Sequence, residues 1–293
     1  MKAYVKRKIK QFLGLGTLAT AKLEDFRQFS QVEQRRLYLY YQELCASGKK
    51  LPNVADVGYR VFSQSDEDGI LVYIFALIGT KHKTCVDIAF SEANWSNTAN
   101  LICNFGWSGL LVCGSSFEAE RSRQFFAKDS DTFLFPPDVV EKWVTAENIN
   151  DLLKDNNVEE EVDLLSLDID GVDYWVWKAL TVVRPRVVVV EFQSMWGVER
   201  AVTVPYKPDF NRMTGVHDFF GASLLAFVKL AKEKGYRLVA FNKYGFNAFF
   251  VRNDIGQDVL PEIDPQKCFE NKRACMIQQK RRFLVQECPW VDV

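Results

Sequence analysis

At 293 residues, with 37 lysines and arginines against 38 aspartates and glutamates (net charge −1), the chain has no basic surplus that would suit it to nucleic acid. Hydrophobic residues make up 48% and charged residues 26%, which excludes a disordered or collagen-like chain and leaves one large α/β domain or two small ones. No run approaches the length of an apolar membrane span, so a membrane-crossing helix is not expected.

Residues 1–60 read as an N-terminal helical extension. Its start carries Lys2, Lys6, Arg7, Lys8 and Lys10 without an acid, and Val5, Ile9, Phe12 and Leu13 fall on one helical face. A basic amphipathic stretch over residues 1–14 suits two roles: peripheral contact with an anionic membrane surface, or packing of its apolar side on the domain. Leu37, Tyr40, Tyr41 and Leu44 give a further helical stripe. Residues 61–256 then alternate regularly. Asp66, Glu67 and Asp68 precede an apolar-periodic run from Ile70 to Ile78 and mark a helix start suited to the helix dipole. Strands are expected at 84–88 (TCVDI), 109–113 (GLLVC), within 132–145, at 163–169 (DLLSLDI) and at 186–192 (RVVVVEF). Segments 97–105, 117–126, 146–156 and 172–180 between and after them read as helices. A helix over 223–234 ends at Gly235, a natural C-cap, and RLVAF (237–241) and AFFVR (248–252) flank a hairpin turn. Residues 257–293 form a basic tail in which Lys272, Arg273, Lys280, Arg281 and Arg282 suit the solvated face of a terminal helix.

Almost continuously apolar strands that alternate with helices imply an α/β fold with a doubly wound, mostly parallel sheet covered on both faces. The closing hairpin makes one late strand antiparallel. Ligands of such sheets bind beyond the carboxyl ends of the strands, near the point where strand order reverses. The ends of the first, second, fourth and fifth strands are therefore the places to look for chemistry.

Those ends belong to a series of blocks: FSQSDEDGIL (62–71), SNTANL (96–101), GWSGLLV (106–112), VTAENINDLL (144–153), DLLSLDIDGVDYWVW (163–177), RPRVVVVEF (184–192) and residues 219–252. In order and spacing the series resembles the FkbM-like group of class I S-adenosylmethionine-dependent methyltransferases across residues 60–254. The resemblance implies a seven-stranded methyltransferase sheet, S-adenosylmethionine over the first two strands, and methyl transfer to an oxygen of a carbohydrate or other small-molecule acceptor. It places Gln64, Glu67, Asp87, Ala89, Ser91, Glu92, Asn97, Cys113, Gly114 and Ser115 around the cofactor. Two features depart from the group. Ala89, Phe90, Ser91, Glu92 and Ala93 replace a glycine-rich turn that lets backbone approach the cofactor. Cys113, a weak acceptor, stands where an acid would hold both ribose hydroxyls; Glu118 or Glu120 on the next helix are the available substitutes. These departures keep a second reading open, a methyltransferase-fold protein that has lost ordinary cofactor binding and serves in binding or assembly.

The catalytic candidates are Asp168, Asp170, Glu191 and His217. Asp168 and Asp170 share a face if the fourth strand continues through both. They can orient a hydroxyl, act as a base, or hold a divalent cation through oxygen; otherwise Asp170 caps the next helix and Asp168 orders the loop. Glu191 closes an apolar strand, where a carboxylate needs a partner, either substrate or a structural donor. His217 lies in a long 193–218 segment expected to cover the site, as a base or as a solvated loop residue. His82 and His217 are the only histidines, so no histidine-rich metal centre is expected. Seven cysteines without a CxxC suggest neither a disulfide framework nor a zinc ribbon, and no secretory pattern opens the chain. The expected location is cytoplasmic, peripheral to the membrane if residues 1–14 bind it.

Overall fold

A computed structural model of the chain describes residues 15–270 and 272–293. The basic amphipathic stretch expected over residues 1–14 lies outside the described residues. The boundary between two compact units falls between Leu51 and Pro52. Before it runs the helix α1 (Leu15–Ala46), and among the described residues no helix is long and apolar enough to cross a membrane.

The second unit is built on a seven-stranded sheet. In chain order its elements are α2 (Glu67–Ile78), β1 (Thr84–Ile88), α3 (Ala99–Phe105), β2 (Ser108–Cys113), α4 (Ser116–Lys128), β3 (Asp138–Glu141), α5 (Ile149–Asp155), β4 (Leu164–Leu167), α6 (Asp173–Ala179) and β5 (Val187–Glu191). They continue with β6 (Val202–Thr203), α7 (Leu224–Lys234), β7 (Tyr236–Phe241), β8 (Asn247–Arg252), α8 (Lys272–Val285) and β9 (Val291–Asp292). The sheet order is β3-β2-β1-β4-β5-β8-β7, with β8 antiparallel to both of its neighbours. This is the doubly wound arrangement expected from the alternation, and its strand order is that of a Rossmann-like methyltransferase. Order reverses at β1, which pairs with β2 on one side and β4 on the other.

Strand alternation divides the core. Val86, Ile88, Leu110, Val112, Leu165, Leu167, Val188 and Val190 pack with Leu153, Val176, Trp177 and Phe227 from α5, α6 and α7. The residues between them, Asp87, Cys113, Ser166 and Val189, point to the other face. α2 serves that face and is buried from Glu67 through Ala76, as its all-round hydrophobicity requires. The carboxyl-end edge of this second face is polar, since Asp87, Ser166 and Glu191 occupy it.

Two short strands, too brief to leave an alternation in the sequence, form a separate antiparallel pair, β6 with β9. They tie the end of the chain to the 193–218 segment. Trp290 stacks edge-on with Trp196 (ring centroids 5.3 Å apart) and Phe219 (4.8 Å), and the Val293 N–H donates to Ala201 O at 2.9 Å. The segment expected to cover the site is thereby pinned in its first half, and the part around residue 212 reaches the carboxyl ends of the strands.

Candidate active site

A cavity of about 390 Å³ opens beyond the carboxyl ends of β1, β2, β4 and β5, at the reversal of strand order. Its wall begins at the end of β1. Ala89 adopts φ +70°, so an alanine holds the left-handed conformation that a glycine would adopt without strain. The next residue, Phe90, is fixed by its N–H to Val112 O (2.9 Å), and its ring is buried 6.0 Å from that of Phe126. Most of its bulk therefore fills the space under α4 and leaves the cavity open. Asp87 accepts hydrogen bonds from Ser96 Oγ (2.9 Å) and Thr98 Oγ1 (2.7 Å); burial nevertheless raises its pKa to about 6. Asn97 Nδ2 donates to Ser166 Oγ at 3.2 Å, coupling the loop before α3 to β4. Glu92 forms an ion pair with Arg121.

The FSQSDED block is a structural clamp with one exposed finger. Asp68 Oδ2 accepts from the N–H groups of Val61 (2.6 Å), Phe62 (2.7 Å) and Ser63 (2.8 Å) and from Ser63 Oγ (3.0 Å). Desolvation still lifts its pKa to about 6. The fixed loop receives the Trp95 N–H at Phe62 O (2.6 Å), and Trp95 holds φ +104°, a conformation that costs a bulky residue energy. Its indole is 58% exposed on the cavity wall, beside Gln64. Glu67 faces away. Its carboxylate accepts from Ser65 N, Asn242 Nδ2 and Asn247 Nδ2 at 2.7, 2.7 and 3.1 Å and so joins α2 to the β7–β8 hairpin.

Opposite lies an acidic cluster. β4 stops at Leu167, so Asp168 and Asp170 are not brought together by strand alternation; Asp170 turns back in the left-handed region at φ +57°. The turn is held by Asp173, whose carboxylate accepts from Ile169 N (2.6 Å) and Gly171 N (2.9 Å). Asp170 therefore does not cap α6, whose N-cap is Val172 without a side-chain cap, and it is Asp173 rather than Asp168 that orders the loop. Asp168, Asp170 and Glu191 each present an oxygen within 4.8 Å of the others, and Arg212 pairs with Asp170. Burial and then repulsion from Asp170 and Asp173 raise the Asp168 pKa to about 8, and burial followed by repulsion from Asp168 carries Glu191 well above its ordinary range. Asp168 and Glu191 are hydrogen-bonded through their side chains, so this pair holds a proton at neutral pH. Phe210 lies against Gly171, where a Cβ would stand 2.9 Å from its ring, and this close approach brings Arg212 over the cluster.

Of the expected cofactor residues, Gln64, Asp87, Ala89, Ser91, Glu92, Asn97 and Gly114 line the cavity; Glu67, Cys113 and Ser115 do not. Cys113 is fully buried with its Sγ 3.8 Å from Ser122 Oγ, and Ser115 caps α4. Of the catalytic candidates, Asp168, Asp170 and Glu191 converge, whereas His217 stands outside with its side chain 93% exposed beside Asp218. The structure adds Trp95, Lys142, Trp143 and Arg212 to the wall. Lys142 and Trp143 follow β3, whose bounds the sequence pattern leaves open, and Arg212 sits in the same covering segment as His217.

No family model matches the chain, and no curated protein does. Solved structures match only distantly. The CcbJ methyltransferase from Streptomyces caelestis is 12% identical at TM-score 0.40, over 68% of this chain and 96% of that one. A putative caffeoyl-CoA O-methyltransferase from Staphylococcus aureus is 11% identical at TM-score 0.38, over 75% of this chain and 99% of its own. The pyocyanin biosynthetic protein PhzM is 12% identical at TM-score 0.36, over 61% of this chain, which spans about half (53%) of that one. At these scores the matches carry no argument about activity.

Proposed function

We propose that this protein is an S-adenosylmethionine-dependent O-methyltransferase of the FkbM-like kind, acting on a hydroxyl of a sugar or other small metabolite. The observation that carries the reading is the open cavity at the strand-order reversal, with an acidic, proton-holding pair on one wall. Its volume lies in the range of small-molecule sites. The cofactor fits the residues present: Ala89 keeps the left-handed turn, Gly114 leaves the end of β2 clear, and Trp143 and Val144 offer apolar surface. When bound, S-adenosylmethionine supplies a methyl group activated by its sulfonium.

The chain's own residues would do the rest. Glu191, also pushed well up, would hold the proton of the pair, and Asp168 in its ionised form would take the proton of the acceptor hydroxyl; its raised pKa makes that carboxylate a stronger base than an ordinary one. Arg212 holds Asp170 and closes the acceptor side. Trp95 and Trp143, both partly exposed on the wall, present flat faces on which a sugar ring can rest. The same three carboxylates would take a divalent cation through oxygen, which would then orient the acceptor instead. A second reading, a binding protein that has lost the cofactor, is favoured by one observation, the apolar burial of Cys113 at the ribose position.

Transfer of labelled methyl from S-adenosylmethionine to a panel of hydroxylated acceptors tests the proposal. Native protein should label at least one carbohydrate or small hydroxylated metabolite, and Asp168→Asn should abolish transfer while leaving S-adenosylhomocysteine bound. Cofactor binding without any dependence of transfer on Asp168 would refute the assigned base.

A further inference from the structure

An adenosine ribose presents two adjacent hydroxyls, and a single carboxylate can accept from both. The end of β2 offers none, because Cys113 is buried under α4. We propose that Glu118, one turn into α4, is the residue that grips the ribose diol and sets selectivity for a ribonucleoside cofactor. The inference rests on the cofactor reading above and adds to it the residue that recognises the sugar.

Three observations support the assignment. Glu118 lines the cavity, and its Oε2 lies 3.9 Å from where a Cβ on Gly114 would stand, directly beside the end of β2. The carboxylate is aimed by a local clamp: Ser115 Oγ accepts the Glu118 N–H at 3.3 Å and donates its own hydrogen to Oε2 at 3.0 Å. The neighbouring acids are engaged elsewhere, and Glu120 does not line the cavity. Glu92 pairs with Arg121, Asp87 binds Ser96 and Thr98, and Glu120 turns to Gln124 (2.8 Å) and Arg123 (3.8 Å). Among the described residues no ion pair engages Glu118. Moving the acid from the strand to the helix also explains why position 113 tolerates a small apolar residue.

The test is calorimetric titration of the full chain with S-adenosylhomocysteine and with its 2′-deoxyribose analogue. Native protein should bind the ribose form about tenfold or more tightly than the deoxy form. In Glu118→Gln the ribose form should weaken by about that factor and the discrimination should shrink toward unity, because an amide offers one acceptor in place of two. Ser115→Ala, which leaves the carboxylate but removes its clamp, should lose part of the discrimination, and Glu120→Gln should lose none. Unchanged discrimination in Glu118→Gln would overturn this assignment while leaving the cofactor reading intact. Absence of binding by native protein to either ligand would overturn both.

Discussion

Replacing Asp168 with asparagine should stabilise the fold at neutral pH and leave it unchanged in acid. The Asp168 carboxyl titrates near 8 in the folded protein against an ordinary 3.8, chiefly because it is buried and secondarily because Asp170 and Asp173 are close. A raised folded pKa means that its favourable contribution is complete below the unfolded value and is lost as pH climbs toward the folded one. Each pH unit in that interval costs about 1.4 kcal/mol. From pH 4 to pH 7 the ceiling is about 4 kcal/mol, and partial access of water from the cavity reduces the expected figure to roughly 2 kcal/mol. Asparagine has the same shape and does not titrate. Urea unfolding of both proteins at several values between pH 4.5 and pH 8 reads the difference directly. The variant should match the native protein at the acid end and gain stability steadily above it. A difference independent of pH, or a loss that grows with pH, would refute the placement of Asp168 in a half-buried cluster of like charges.

Other outcomes follow from the same geometry. Asp68→Ala leaves two buried N–H groups and one half-buried one without their acceptor and should cost about 3–5 kcal/mol by thermal or urea unfolding; a loss below about 1 kcal/mol would contradict the clamp. Ala89→Gly should stabilise by about 1 kcal/mol, since it releases a left-handed alanine, and a decrease in the melting temperature would count against that conformation. His217→Ala should leave both melting temperature and S-adenosylhomocysteine affinity unchanged, because its ring is exposed and away from the cavity; a tenfold loss of affinity would return it to the site.

Much of this architecture is written in local pattern. β1, β2 and β5 sit within a residue or so of the apolar runs that announced them, because a strand covered on both faces must be apolar throughout. β6 and β9 have two residues each and gain their stability from pairing with one another and from the tryptophan cluster, so no periodicity could reveal them. In the site, Asp168, Asp170 and Glu191 were legible from their position at strand ends. The means of their convergence was not, because it depends on a left-handed residue at 170 that follows the early end of β4. Arg212 joins the cluster through the packing of Phe210 on Gly171, a contact between residues far apart in the chain, and through its own stacking over Phe220 (4.9 Å). Cys113 shows the reverse case: its position in the sequence suggested the cofactor, and the structure turns its side chain toward Ser122.

The central claim is that the cavity at the strand ends still accepts an S-adenosyl ligand despite its altered turn. Calorimetric titration of the native chain with S-adenosylmethionine and S-adenosylhomocysteine tests it most directly. Saturable binding in the micromolar range, at one site per chain, is the predicted result. No heat of binding with either ligand at millimolar concentration would contradict the claim and leave the fold as a scaffold for another ligand.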